Sequence, residues 1–132
     1  MRLERSLRTI RLSPEERAEV VRKVRELVDR EGVLLALLYG SFVEGDSFRD
    51  VDVAVYLAPT ANDLLTPLLI EEDIRASVGL PADVRVVNNA PPSVLKHILS
   101  RSIVLVERVP LLREKLLARA IDGLQRLRPA GK

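Results

Sequence analysis

Apolar and polar positions fall in blocks that change period along the chain. Val20, Val21, Val24, Leu27 and Val28 share one helical stripe, with Arg and Glu covering the opposite face. Just upstream, Ser13-Pro14-Glu15-Glu16 has the form of a helix start. Ser13 can cap free backbone N–H groups, Pro14 suits the first helical position, and Glu16 completes a capping box. The helix is expected to run to about Glu31, short of Gly32. "VLLALLY", Val33 to Tyr39, is continuously apolar between two glycines, which suits a strand buried on both faces better than a helix. Val51 to Leu57 follows as a second strand after a loop too short for another long helix, so the two strands are expected side by side.

A further helix is predicted from about Thr66 to Val78, opened by Thr66-Pro67 and ended by Gly79-Leu80-Pro81. "ADVRVVN", residues 82 to 88, alternates like a third strand. "APPSVLKHILS" reads as a helix entered through prolines, with Val94, Leu95, Ile98 and Leu99 on its apolar side. "SIVLVER" adds a short strand, and Pro110 opens a last helix to about Leu127. Its apolar face, Leu112, Leu116, Leu117, Ala120, Ile121 and Leu124, is wide enough to serve the core and a partner or second copy at once. The element order predicts an α/β (α+β) fold, a small mixed sheet with helices packed mainly on one face. One domain over residues 1–132 is expected, with 1–12 and 128–132 as loosely held ends.

Composition narrows the function classes. A hydrophobic fraction of 47% with 30% charged residues belongs to a packed globular chain. Only 3% of residues are aromatic, which leaves little for stacking nucleic-acid bases, and a formal charge of +2 is small for a polyanion binder. Nucleic acid is therefore not expected as a partner. The absence of cysteine excludes disulfides, thiolate nucleophiles and cysteine-based zinc sites. No apolar stretch reaches bilayer-spanning length, and "MRLERSLRTIRLSPEER" lacks the apolar core of a signal peptide. A cytoplasmic protein without membrane association is expected.

Candidate chemistry centres on "LLYGSFVEGDSFRDVDVAVYL", residues 37 to 57. Asp50 and Asp52 project together in a strand while Val51, Val53 and Val55 project the other way, so the aspartates cannot join the core the valines make. Paired carboxylates repel, and a shared proton or a cation relieves them. Oxygen-only ligands favour a hard ion such as Mg²⁺, which completes its shell with water and phosphates. Gly40-Ser41 ends the preceding strand, where missing bulk lets a phosphate approach the backbone and Ser41 can donate its hydroxyl. If Ser41 opens a helical turn, free N–H groups add to that cradle.

Asp83, at the start of the third strand, is the best third carboxylate, ahead of Glu71, Glu72 and Asp73 on a predicted helix. Arg85 shares the face of Asp83, and Arg49 precedes Asp50; both can offset phosphate charge. Tyr39 is read as a packed strand aromatic and His97 as a helix-surface residue. A phosphate cradle beside a metal clamp is the equipment of nucleotidyl transfer.

These residues resemble a known family, the minimal nucleotidyltransferases (MNT) of the DNA polymerase beta superfamily. The Gly-Ser, loop, Asp-x-Asp signature is carried by Gly40, Ser41, Asp50 and Asp52, and Asp83 in "ADVRVV" matches the third acidic position. The likeness spans roughly Val33 to Glu107 and includes "NNAPPSVLKHILSRSIVLVE". It implies a two-metal Mg²⁺ site on Asp50, Asp52 and Asp83, with nucleotide phosphates against Gly40 and Ser41. Many small members are similar to antitoxins paired with a HEPN-domain protein, and some move AMP from ATP onto a tyrosine of that partner. The resemblance thus implies a protein adenylyltransferase using ATP; the alternatives are a subunit that masks its partner by binding alone and, less favoured, a small-molecule nucleotidyltransferase. Arg49 stands where the family often has Ser, the loop 42–49 is slightly short, and Glu44 stands where it often has Arg.

Overall fold

A computed structural model describes residues 9–127 of the chain. The elements are α1 (Pro14–Val28), β1 (Val33–Tyr39), α2 (Ser41–Glu44), β2 (Val51–Leu57), α3 (Leu65–Val78), β3 (Ala82–Val86), α4 (Pro92–Ser100), β4 (Ile103–Glu107) and α5 (Leu112–Arg126). The capping box predicted at Ser13 is formed: its hydroxyl accepts from the Glu16 N–H at 3.1 Å, and Glu16 Oε1 accepts from the Ser13 N–H at 2.8 Å. Both central strands begin and end where the apolar runs do. The strand order is β3-β2-β1-β4, with β1 antiparallel to β2 and β4 and with β2 parallel to β3 across the α3 connection. The sheet is therefore mixed, as expected.

The larger core lies on one face. Val51, Val53 and Val55 of β2 meet Val20, Val24 and Val28 of α1, Ile70 and Ile74 of α3, and Phe42 and Phe48 from the loop region. The opposite face carries a second, smaller layer: Leu35, Leu37 and Ala54 under Leu95, Ile98 and Leu99 of α4 and Leu116 and Ala120 of α5. That layer adds to the cover expected mainly on one side. Its physical cause is β1, apolar at every position, which leaves two faces to shield from water.

β3 stops at Val86, two residues before the predicted end, because Asn88 turns to bind the end of β2. Its Nδ2 donates to the Leu57 carbonyl at 2.8 Å and its Oδ1 accepts from the Leu57 N–H at 2.9 Å. The outer edge of β3 is met by α3 side chains: Glu71 accepts from the Val84 N–H at 2.8 Å, and Arg75 donates to the Ala82 carbonyl at 2.9 Å. Such contacts blunt an edge that would otherwise template pairing. Residues 1–8 and 128–132 of the expected loose ends lie outside the described residues. Within the described part, Ile10 is tied down by exchanging backbone hydrogen bonds with Phe48, at 2.7 and 3.1 Å.

Candidate active site

The site is built at the end of β1. Gly40 leaves the strand with φ 81° and ψ −158°, a region open in practice to glycine alone, and Ser41 then opens α2, a single helical turn. The Val43 and Glu44 N–H groups both return to the Gly40 carbonyl, each at 3.0 Å. A Cβ on Gly40 would stand 2.3 Å from Asp52 Oδ2. The bare α-carbon is what allows the Asp52 carboxylate to lie against the Gly-Ser turn.

Strand register supplies the rest. Tyr39 of β1 lies opposite Asp52 of β2, and Asp52 lies opposite Asp83 of β3, so the three form one row across three strands. Asp50 stands one residue before β2 and hydrogen bonds to Asp52. Asp52 is pushed up to about 7, first by burial, then by the negative charges of Asp50 and Asp83 and by that hydrogen bond. A proton or a cation between these carboxylates would relieve that charge. The half-buried Tyr39 hydroxyl is also raised, by burial and then by Asp52 and Asp83, while Arg85 pulls it the other way.

Of the residues singled out in the sequence, Gly40, Asp50, Asp52, Asp83 and Arg85 are thus brought to one end of the sheet, with Ser41 exposed beside them. Arg49 is exposed on the approach to β2. Glu71 and Asp73 take structural partners instead, Glu71 on the β3 edge and Asp73 in a 2.8 Å ion pair with Arg30. Among the described residues no three His, Asp or Glu side chains converge into a closed metal-ligand cluster. The donor set is all oxygen, and burial together with the neighbouring carboxylates raises Asp52. It fits a hard divalent ion that fills its remaining positions with water and phosphate oxygens.

One supporting residue, Arg17, escaped sequence reasoning, and two that were named, Glu44 and Tyr39, have contacts it did not foresee. Arg17 of α1 reaches the loop after Gly-Ser: it donates to the carbonyls of Phe42, of Gly45 at 2.9 Å and of Asp46 at 2.9 Å. Its guanidinium also stacks over the Phe42 and Phe48 rings, 5.0 and 5.5 Å from their centroids, and those rings meet edge to face at 4.8 Å. Glu44, the acidic departure next to the turn, is paired with Arg101 at 3.1 Å. Tyr39 belongs to the acidic row as well as to the packing beneath α4 and α5. The first two contacts span 25 to 29 and 57 residues, and no local pattern announces them.

The fold and this end of the sheet define a nucleotidyltransferase. The family described as polymerase beta, nucleotidyltransferase matches residues 22–110, more than half of the chain, and the chain belongs to it. Among solved structures, it is similar to a chain of the complex of tri-AMPylated Shewanella oneidensis HEPN toxin with MNT antitoxin, at TM-score 0.67 and 17% identity over 84% of this chain and 88% of that one. It is similar as well to a toxin–antitoxin structure with AMP-PNP, at TM-score 0.63 and 18% identity over 88% and 90% of the two chains. A third likeness is to the toxin–antitoxin pair MntA–HepT, at TM-score 0.62 and 15% identity over 87% and 89%. Identities this low establish the fold. No curated protein matches the chain. Among the described residues no helix is long and apolar enough to cross a membrane.

Proposed function

We propose that the protein moves a nucleoside monophosphate, AMP from ATP, onto a hydroxyl of a HEPN-type partner protein, and that it acts as the antitoxin of such a pair in the cytoplasm. One observation carries the reading: the row of Tyr39, Asp52 and Asp83, with Asp50 beside it, lies against a Gly-Ser turn that only glycine permits. Support for the partner comes from the structural neighbours, which are toxin–antitoxin complexes.

Asp50, Asp52 and Asp83 are the residues that would hold Mg²⁺, and the ion would supply neutralisation of the triphosphate. The protein's own groups divide the remaining work. Gly40 lets the Asp52 carboxylate lie against the turn, and the exposed Ser41 hydroxyl donates to a phosphate there. Arg85 beside Tyr39 and the exposed Arg49 next to Asp50 offset phosphate charge. Asp83, in register with Asp52 yet exposed, takes the proton of the acceptor hydroxyl. The new oxygen–phosphorus bond forms at the α-phosphate as the bond to pyrophosphate breaks.

The test is transfer from α-labelled ATP to a HEPN-type protein encoded beside or co-purifying with this chain. Label should reach the partner with wild type and Mg²⁺, and disappear with Asp52→Ala or with chelator. Label retained by Asp52→Ala would refute the mechanism. A partner neutralised equally by both proteins, with no label on either, would leave the masking subunit as the function.

A further inference from the structure

α4 presents a polar stripe on the side away from the core. Ser93, Lys96, His97, Ser100 and Arg101 recur at helical spacing, while Leu95, Ile98 and Leu99 point inward and are 2%, 2% and 0% exposed. With Leu124 of α5 as the opposite wall, this stripe lines an open groove of about 440 Å³. α5 approaches closely because it crosses α4 at Gly123, where a Cβ would stand 2.8 Å from Pro92. The volume lies in the range of small-ligand pockets, roughly 300–1,000 Å³. No carboxylate lines it, and no ion pair among the described residues engages Lys96. Two cations, an imidazole and two hydroxyls suit a small oxygen-rich anion.

Its position ties it to the candidate active site. Arg101 is held by Glu44 at 3.1 Å, and Glu44 ends the single helical turn that Ser41 begins, about 5 Å of helix rise away. Ile103, two residues beyond Arg101, pairs with Leu38, the neighbour of Tyr39. The Arg101 end of the cleft therefore lies at the same end of the sheet as the Gly-Ser turn. Glu44 would repel a phosphate if left bare; paired, it instead holds the Arg101 guanidinium next to the turn.

We propose that this cleft is an anion site for phosphate chains, and that it receives the pyrophosphate released at the Gly-Ser turn. The second clause rests on the nucleotidyl-transfer reading. In that step the acceptor oxygen bonds to the α-phosphorus, the α,β-phosphoanhydride bond breaks, the acceptor proton goes to Asp83, and pyrophosphate leaves with the bonding pair. Lys96 and Arg101 then draw the pyrophosphate anion away from the acidic row.

The experiment titrates ¹⁵N-labelled protein with sodium pyrophosphate in metal-free buffer and follows the backbone amides. Saturating shifts along Ser93 to Arg101 are expected, with affinity falling about ten-fold or more in Lys96→Ala and further in Lys96→Ala/Arg101→Ala, while Lys23→Ala on α1 binds as wild type. Lys96 is exposed, so its substitution leaves folding intact. Pyrophosphate that moves no α4 amide, or binds Lys96→Ala unchanged, overturns the site. Label transfer with α4 silent overturns the site and leaves the transfer reading standing; α4 binding in a protein that transfers no label sustains the site and overturns its role in product capture.

Discussion

Substituting Gly40 separates two functions that the same α-carbon serves. In Gly40→Ala the backbone must hold φ 81° and ψ −158° with a side chain attached, a strain of about 1–3 kcal/mol. The new methyl would also stand 2.3 Å from Asp52 Oδ2, whereas ordinary contact begins at 3.4 Å, so the carboxylate has to retreat by about 1 Å. For a chain of this length each kcal/mol is worth about 3–5 °C, which places the loss of melting temperature at roughly 3–15 °C. A displacement of about 1 Å in a positioned group costs on the order of 10²-fold in rate. Gly79→Ala is the control: φ is 79° there too, but a methyl group on that α-carbon would meet nothing within 4 Å, so it should lose about 1 kcal/mol and no label transfer. Both variants are compared by thermal unfolding and by transfer from α-labelled ATP. If Gly40→Ala transfers label as well as Gly79→Ala does, the contact between the turn and Asp52 has no part in the chemistry.

Asp52→Asn should stabilise the protein in metal-free buffer, and more at pH 8 than at pH 5. The folded state holds Asp52 at about 7 against an ordinary 3.8, so it binds the proton more tightly than the unfolded chain and loses stability as pH rises through that window. Equal melting differences at the two pH values would contradict the raised Asp52, which burial and the neighbouring carboxylates together produce. Arg17→Ala removes three donors to loop carbonyls and the stacking on Phe42 and Phe48, and should cost about 2 kcal/mol in urea unfolding, with faster amide exchange over residues 42–48; unchanged exchange there would refute the clamp. Leu111 is the one non-glycine residue with positive φ among those described, at 62°, and its side chain is 63% exposed. Leu111→Gly should therefore raise stability by up to about 1 kcal/mol, read as a higher melting temperature, and a lower one would show that the leucine packs more than its exposure indicates.

How legible these features were depends on how far apart the interacting residues lie in the chain. β1 and β2 were readable to the residue, β1 as a continuous apolar run between two glycines and β2 as an apolar run interrupted only by Asp52. The capping box at Ser13 was readable because its partners are three residues apart. The face shared by Asp50 and Asp52 followed from the two-residue period of a strand. The end of β3 was not legible, because "VVN" continues the alternation and only the contact of Asn88 with Leu57, 31 residues away, ends it. The α4 and α5 layer was half legible: their apolar stripes were plain, but which face of the sheet they cover depends on the path of the chain after β3.

The acidic row shows the same limit in the place where it bears on function. Alternation alone put Asp52 on the face opposite the valines, and nothing local said that Asp83 would stand level with it and not two residues above or below. A shift of two residues would keep every side chain on its face and still move Asp83 about 7 Å along the strand. The register is set by burial on the other face, where Val51, Val53 and Val55 lie level with Ala82, Val84 and Val86 beneath α1 and α3. Tyr39 joins the row by the equivalent pairing of β1 with β2. The carboxylates are thus positioned by valines that never touch them, and a substitution such as Val84→Ala should reach the site through register and packing before it reaches it through charge.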